Sequence, residues 1–600
     1  MKRLAAVLVC VLLLAGLTAV AAQSQDDDAG GGDSGGKSKT FTAGDPQGID
    51  SMSPLIGVTV AAYEAWNIQY ATLTDKAASD FHTIPGLAKS WNESDGGKTW
   101  TYKLRDGLKW SDGQPLTAED VAWTVNTSRD EEWINHSATT VNLDAEATDD
   151  TTLVLKSKVP DPKLPTMDVY ILPKHIWGKM SADKRAKYDG LDGVGSGPFV
   201  LEKFEKGQFA RFKANPNYWG GRPAIGTVIL RKFNNPDAEV AALRAGEIDA
   251  AQDLPGAAFD ELAKDDNIQT VEGFQGSMTE VAINGGDGLK KPHPALLDVR
   301  VRQAIGHAID KQTIVDRVLN GHGKVAQTLS TSPDPAWTPD IPADQVFDFD
   351  LDKARQMLED AGYKDTDGNG IREMPGGGKP LNFTYYVRSD GETAPEIAEF
   401  VTGWLREIGI ATTKKVADDS QLTTIIGKGD YDMFAWGWTP FVDPDPMLSY
   451  FTCGQVSSDP DDPSNYYNDA NYCDRQYDKL YEQQKVELDR DKREQIVHEM
   501  LTRFQQSGTY HVLYTEPELQ AYVKGRFDGF IRQPAKIGPV IYQQTSPTYA
   551  QLRPASASGG GGDDDGGGSG AIIAIVAIVA VAVGAGVLLM RRRRTVYERE

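Results

Sequence analysis

The twenty residues from Ala571 to Met590 carry no charge, and four arginines, Arg591 to Arg594, follow at once. At helical rise such a run spans about 30 Å, the thickness of a bilayer core. Positive charge stays on the cytoplasmic side, so the pattern predicts a transmembrane anchor running outside to inside, with Thr595 to Glu600 as a short cytoplasmic tail. A cell-wall sorting signal also ends in an apolar run and basic residues, but Arg553 to Gly570 holds no LPxTG-like motif. At the other end Lys2 and Arg3 precede the apolar run Leu4 to Leu17, and Ala19 to Ala22 offer a small-residue cleavage site. Residues 1–22 therefore read as a secretory signal peptide. Cys10 lies inside that run, too early for a lipid-modified mature N-terminus. The chain between the two ends is placed outside the cytoplasm at the cell membrane.

Two Gly/Asp/Ser-rich tracts, residues 23–39 and 555–570, read as flexible tethers. The first contains Gly31 to Ser38, GGDSGGKS, which formally matches a phosphate loop and the surroundings of a trypsin-like serine. A phosphate loop needs a buried strand before it and a helix after it, and a serine nucleophile needs a packed turn and a base. A polar tether supplies neither. Between the tethers lie about 515 residues, too many for one core, so two or more domains are expected. The net charge of -24 is spread along the chain, which speaks for solubility and against nucleic acid or anionic lipid as the partner. Beyond the signal peptide only Cys453 and Cys473 remain. An even pair in an exported chain reads as one disulfide, contributing about 3 kcal/mol by loop closure; two free thiols are the other reading.

Taken in order, residues 41–50 suggest a first strand and turn, followed by a helix through Val60, Ala61, Ala65 and Ile68. Lys98 to Leu104 alternates polar and apolar residues, Arg105-Asp106-Gly107 turns, and Leu108 to Trp110 returns, which predicts a hairpin. Thr117 and Asp120 form a capping-box start for the next helix. Asp298 and Asp310 are expected N-caps of two further helices. Ile397, Phe400, Val401, Trp404, Leu405 and Ile408 form a core-facing helical stripe, and Asp474 to Gln506 reads as one long polar helix.

Tyr431 to Phe451, YDMFAWGWTPFVDPDPMLSYF, is the candidate ligand platform. Met433 to Trp436 read as a buried strand that ends at Gly437, Trp438 and a Pro/Asp loop. Two indoles beside Asp443 and Asp445 suit a small-molecule cleft, because the rings supply apolar contact and the charges fix orientation. A strand end packed by tryptophans with Asp-Pro turns gives the same letters. A second candidate is Asp365 to Glu373, DTDGNGIRE. Oxygen donors at Asp365, Asp367, Asn369, Ile371 and Glu373 suit a structural calcium ion, although Gly376 stands where an EF-hand has its bidentate Glu. An Asx-rich turn is the alternative, and no cofactor is required. For hydrolysis the chain offers little: His498-Glu499 lacks the second histidine of H-E-x-x-H, and no GxSxG lies on a strand-to-helix turn. The chain is therefore read as a non-enzyme with no catalytic residues.

The segment Pro85 to Trp91, then SDGGKTWTYKLRDGLKWSDGQPLTAEDV from Ser94 to Val121, resembles the signature of family 5 extracellular solute-binding proteins, the peptide- and nickel-type receptors of ABC importers. The resemblance continues at Gly195 to Phe199, Asn215 to Gly221, Leu243 to Asp249, Asp298 to Val315, and the WGW and DPDP of the platform. It implies an α/β, two-lobed periplasmic-binding-protein fold of the class II type with a subdomain inserted in the first lobe. Lobe one would be residues 41–80, 193–285 and 519–553, the insert 81–192, and lobe two 286–518. The hinge would lie near Ala282 to Gly285 and Tyr514 to Glu518. It further implies capture of oligopeptides by lobe closure and delivery to permease and ATPase subunits on other chains. Trp436, Gly437, Trp438 and Thr439 would line the cleft and Tyr514 would close it. Peptide receptors often carry an aspartate four residues after the glycine, where this chain has Phe441; Asp443 is the expected amino-group clamp and Asp445 the reserve. A nickel chelate, glycan or other solute is the alternative ligand.

Overall fold

The computed structural model describes residues 39–555 except 134, 390–392, 459–466, 543–544 and 546. The expected signal peptide, nearly all of both tethers, the Ala571–Met590 span and the tail lie outside the described residues. Among those described, no helix is long and apolar enough to cross a membrane.

Two sheets organise the chain. In the first, the strand order is Ile268–Gly273, Glu518–Val523, Ala250–Ala251, Thr40–Asp45, Thr227–Lys232, Phe209–Ala214, Phe199–Glu205. Phe41 and Ala43 point one way from Thr40–Asp45, into a core completed by Trp66, Phe199, Phe212 and Tyr549. The second sheet runs Lys324–Val325, Tyr510–Thr515, Met278–Ile283, Met433–Trp438, Asn382–Arg388, Ala411–Ala417. Helices cover both faces, so its inner strands are apolar on both sides. Met433 and Ala435 pack with Val301, Ile305, Ile397 and Val401 on one face. Phe434 packs with Tyr477, Val497, Met500 and Phe504 on the other. The alternation that makes Met433 to Trp436 a continuous apolar run is thus that of a strand buried on both sides.

A four-stranded sheet, Ala88–Ser94, Thr99–Leu104, Thr152–Ser157, Leu143–Asp149 in spatial order, forms the inserted part with its own core around Tyr102, Trp110, Val121 and Leu155. Trp133, Tyr170, Leu172 and Trp177, within 81–192, pack into the first lobe's core. The boundary near 192 is therefore not a boundary in packing.

Three local expectations change. Thr99–Leu104 pairs antiparallel with Ala88–Ser94 and Thr152–Ser157, not with Leu108 to Trp110, where only a Lys109–Pro115 bridge forms. The long polar helix is two, Arg475–Gln484 and Arg490–Gln506, because Asp489 restarts the helix by accepting from the Lys492 N–H at 3.2 Å. The first crossing also lies earlier than Ala282: Met278–Ile283 already belongs to the second sheet, so the chain passes between sheets at Phe274 to Ser277. The second crossing is Glu516-Pro517, between Tyr510–Thr515 and Glu518–Val523. The Thr117/Asp120 capping box and the Asp298 and Asp310 caps form as expected.

Candidate functional site

Met278–Ile283 lies between Met433–Trp438 and Tyr510–Thr515, and its register sets Thr279 opposite both Gly437 and Tyr514. These three residues share a face and line a cavity of about 360 Å³ beside the Glu516-Pro517 crossing. Trp436, Arg388 and Glu516 complete its polar and aromatic wall. The Arg388 guanidinium sits 4.8 Å from the Trp436 ring centre, a cation–π stack that fixes both. Thr279 donates its hydroxyl to the Glu516 carboxylate at 2.7 Å, and the Glu516 N–H donates to the Ser277 carbonyl at 2.6 Å. Burial raises the Glu516 carboxyl above its usual range, while the Thr279 hydroxyl and the Arg388 charge hold it down. Gly437 is required by closeness: a Cβ there would meet the Met278 carbonyl oxygen at 2.9 Å.

Glu280, opposite Trp436, enters the other face. The Tyr510 hydroxyl lies 3.2 Å from Glu280 and 2.9 Å from Asp469, and the Trp438 indole N–H donates to it at 2.6 Å. One hydroxyl has one proton, so the two carboxyls cannot both be served as anions. Burial pushes Asp469 up to about 7 and Glu280 well above its ordinary value, Glu280 also through the Asp469 charge. Protonation of at least one of the two carboxyls resolves the conflict. From Trp438 an aromatic series continues outward through Tyr450, at 5.5 Å, to the exposed ring of Tyr467, at 4.9 Å from Tyr450.

The two expected clamp carboxylates are engaged elsewhere. Asp443 accepts both terminal nitrogens of Arg493 at 2.7 Å. Burial alone would raise its carboxyl, but the Arg493 charge and hydrogen bonds leave it below the usual range. Asp445 accepts from Gln484 at 2.8 Å and from Lys163 of the insert at 2.8 Å. Neither lines the cavity. Thr439 is exposed and lies 3.1 Å from the Ser277 hydroxyl; Phe441 is exposed and also outside the cavity wall. Of the expected ligand residues, the structure gathers Trp436, Gly437 and Tyr514 at one cavity, whose wall does not include Trp438. It adds Thr279 and Arg388, which no local pattern singles out, and Glu516, which the sequence places only within the expected hinge. Cys453 and Cys473 are joined by a disulfide, with a Cα–Cα distance of 4.5 Å. At the second candidate, carboxylate oxygens of Asp365, Asp367 and Glu373 lie within 4.8 Å of one another; the Asn369 side chain is turned to Asp367 and to the Ile371 N–H.

Two sheets crossed twice by the chain, with a walled cavity beside the second crossing, define a two-lobed binding protein. Residues 82–459 match the model of the bacterial extracellular solute-binding proteins, family 5, and the chain belongs to that family. It is 28% identical over 489 residues to the oligopeptide-binding protein AppA of Bacillus subtilis, covering 80% of this chain and 86% of that one. It is 28% identical over 392 residues to the nickel-binding periplasmic protein of Escherichia coli, covering 62% and 71%. Among solved structures it is similar to Bacillus subtilis AppA in complex with a nonapeptide, with a TM-score of 0.67, 25% identity, and 87% and 100% of the two chains covered. NikZ of Campylobacter jejuni in complex with Ni(L-His) shares the fold, with a TM-score of 0.69 at 20% identity and 86% and 99% coverage.

Proposed function

We propose that this chain is a membrane-anchored, extracytoplasmic receptor that captures oligopeptides by lobe closure and delivers them to an ABC importer. The observation that carries the reading is the cavity beside the hinge, where the Glu516 carboxyl group and the Arg388 guanidinium face one space with an indole wall. A peptide N-terminus, an ammonium followed at once by main-chain carbonyl groups, suits such a wall better than an apolar solute. Glu516 then takes the amino-group role expected of Asp443, and Arg388 faces carboxylate or main-chain carbonyl groups. Because Glu516 lies on the crossing segment, its engagement by ligand acts directly on the angle between the lobes. The Lys163–Asp445 pair, joining insert to second lobe, supports closure from the far side.

The name of the AppA relative supports a peptide, and that of the nickel-binding relative keeps a chelate as the second reading. No histidine lines the cavity among the described residues, so a metal would arrive held by its own chelator. The anchor rests on the Ala571–Met590 run and its flanking arginines. Calorimetric titration with short peptides and, separately, with a nickel–histidine chelate tests the ligand. Saturable heat with peptides alone supports the proposal; saturable heat with the chelate alone removes its peptide part.

A further inference from the structure

The loop after helix Leu351–Asp360 holds three carboxylates that no cation among the described residues balances. Glu373 is folded beneath the loop by short bridges to Lys364 and Pro380, and its side chain is 5% exposed. One of its oxygens accepts from the Thr366 N–H and hydroxyl, both at 2.7 Å. The other, Oε1, is buried and has no hydrogen-bond partner. A buried acceptor left unmade costs free energy and asks for a bound ion or water. Asp365 accepts from the Gly368 and Gly370 N–H groups at 2.7 and 2.8 Å, and Asp367 from the Asn369 N–H and side-chain amide at 3.0 and 2.9 Å. Each carboxylate retains lone pairs beyond these. The adjacent cations face away: Lys364 and Arg372 pair with Glu359 at 3.4 and 2.8 Å. Among the described residues no Lys or Arg nitrogen lies within 4.0 Å of Asp365, Asp367 or Glu373.

We propose that Asp365, Asp367 and Glu373 bind one calcium ion. Oxygens each about 2.3–2.6 Å from a common ion stand at most about 5 Å apart, and these stand within 4.8 Å. An all-oxygen set on a turn that can adjust favours calcium over magnesium, which demands a near-ideal octahedron, and over zinc, which prefers nitrogen and sulfur. Glu373, ninth in the loop, supplies the buried acid that Gly376 cannot, and the Asn369 amide oxygen and Ile371 carbonyl complete the shell when Asn369 turns. The ion braces the helix-to-strand connection of lobe two.

The test is calorimetry and thermal unfolding of the full chain after chelator treatment, titrated with calcium chloride and, as control, magnesium chloride. One site with Kd on the order of 10⁻⁴–10⁻³ M is expected, with a Tm rise of about 1–3 °C at about 10 mM calcium. Glu373→Gln weakens calcium uptake by roughly tenfold or more, yet in chelator unfolds at or above the wild-type Tm because its orphan charge is gone. Asp367→Asn, at an exposed position, carries the same expectation should the Glu373 variant not fold. Absence of saturable uptake to about 10 mM, or wild type and Asp367→Asn titrating alike, overturns the site.

Discussion

The Pro/Asp loop holds two carboxylates near the tryptophans, the strand Met278–Ile283 and the Glu516-Pro517 crossing hold one each, and the molecule uses the two pairs in opposite ways. Asp443 and Asp445 are matched by cations, Arg493 and Lys163, and stay where the fold needs them. Glu516 and Glu280 are instead held by hydroxyls, those of Thr279 and Tyr510, in surroundings that push both toward the neutral form. A carboxylate already paired bidentately with Arg offers a ligand little, because a new partner must first displace the old one. One held by a single hydroxyl at a cavity wall has capacity left. The lesson is that adjacency to an aromatic motif in sequence does not decide which acid faces the ligand; strand register does.

Breaking the loop pair gives the largest effect. Arg493→Ala strands the buried Asp443 carboxylate and is expected to lower stability by about 3–5 kcal/mol in urea unfolding. A loss below about 1 kcal/mol would assign the pair to the exposed class and free Asp443 for a ligand.

The second prediction sets the two regions against each other in pH. Asp469 is raised to about 7, so between its unfolded value near 3.8 and about 7 the folded chain holds a proton the unfolded chain has released. Its contribution to stability is therefore lost as pH rises through that window, by about 4 kcal/mol, and Asp469→Asn flattens the fall. Asp443, held low, contributes with the opposite sign: its stabilisation is lost as pH drops below the ordinary carboxylate range. Unfolding midpoints collected across pH separate the two, and an unchanged profile in Asp469→Asn would show that Asp469 is not the group holding the proton.

Glu516→Gln sharpens the comparison at the ligand. Affinity for peptide is expected to fall about tenfold, some 1.4 kcal/mol, with stability nearly unchanged because the Thr279 hydroxyl can donate to the amide oxygen. Phe441→Ala closes the series: the ring is 45% exposed and outside the cavity, so stability should move by less than about 0.5 kcal/mol, and peptide affinity should hold. A large affinity loss there would shift the ligand toward the loop.

Much of the fold was legible because its signals are local. The Thr117/Asp120 capping box, the Asp298 cap and the apolar run Met433 to Trp436 each announce an element within a few residues, and the ordered motifs from Pro85 onward identify the family. The Cys453–Cys473 bridge follows from count and compartment. What local pattern could not supply was pairing. Lys98 to Leu104 alternates like a hairpin arm, but its partners lie before it and some fifty residues later, at Thr152–Ser157. Thr279 looks like any strand threonine until the register sets it against Gly437 and Tyr514. Arg493, inside a polar helix, gives no hint that it neutralises an aspartate fifty residues earlier. Glu516 carries one weak signal, its place before Pro517 at a crossing between sheets.

The most direct test of the central claim is native mass spectrometry of the gently purified chain beside its Trp436→Ala, Glu516→Gln double variant. The account predicts a ladder of short-peptide masses on the wild type that is absent from the variant. A single non-peptide mass on the wild type, or a peptide ladder retained undiminished by the variant, would contradict it.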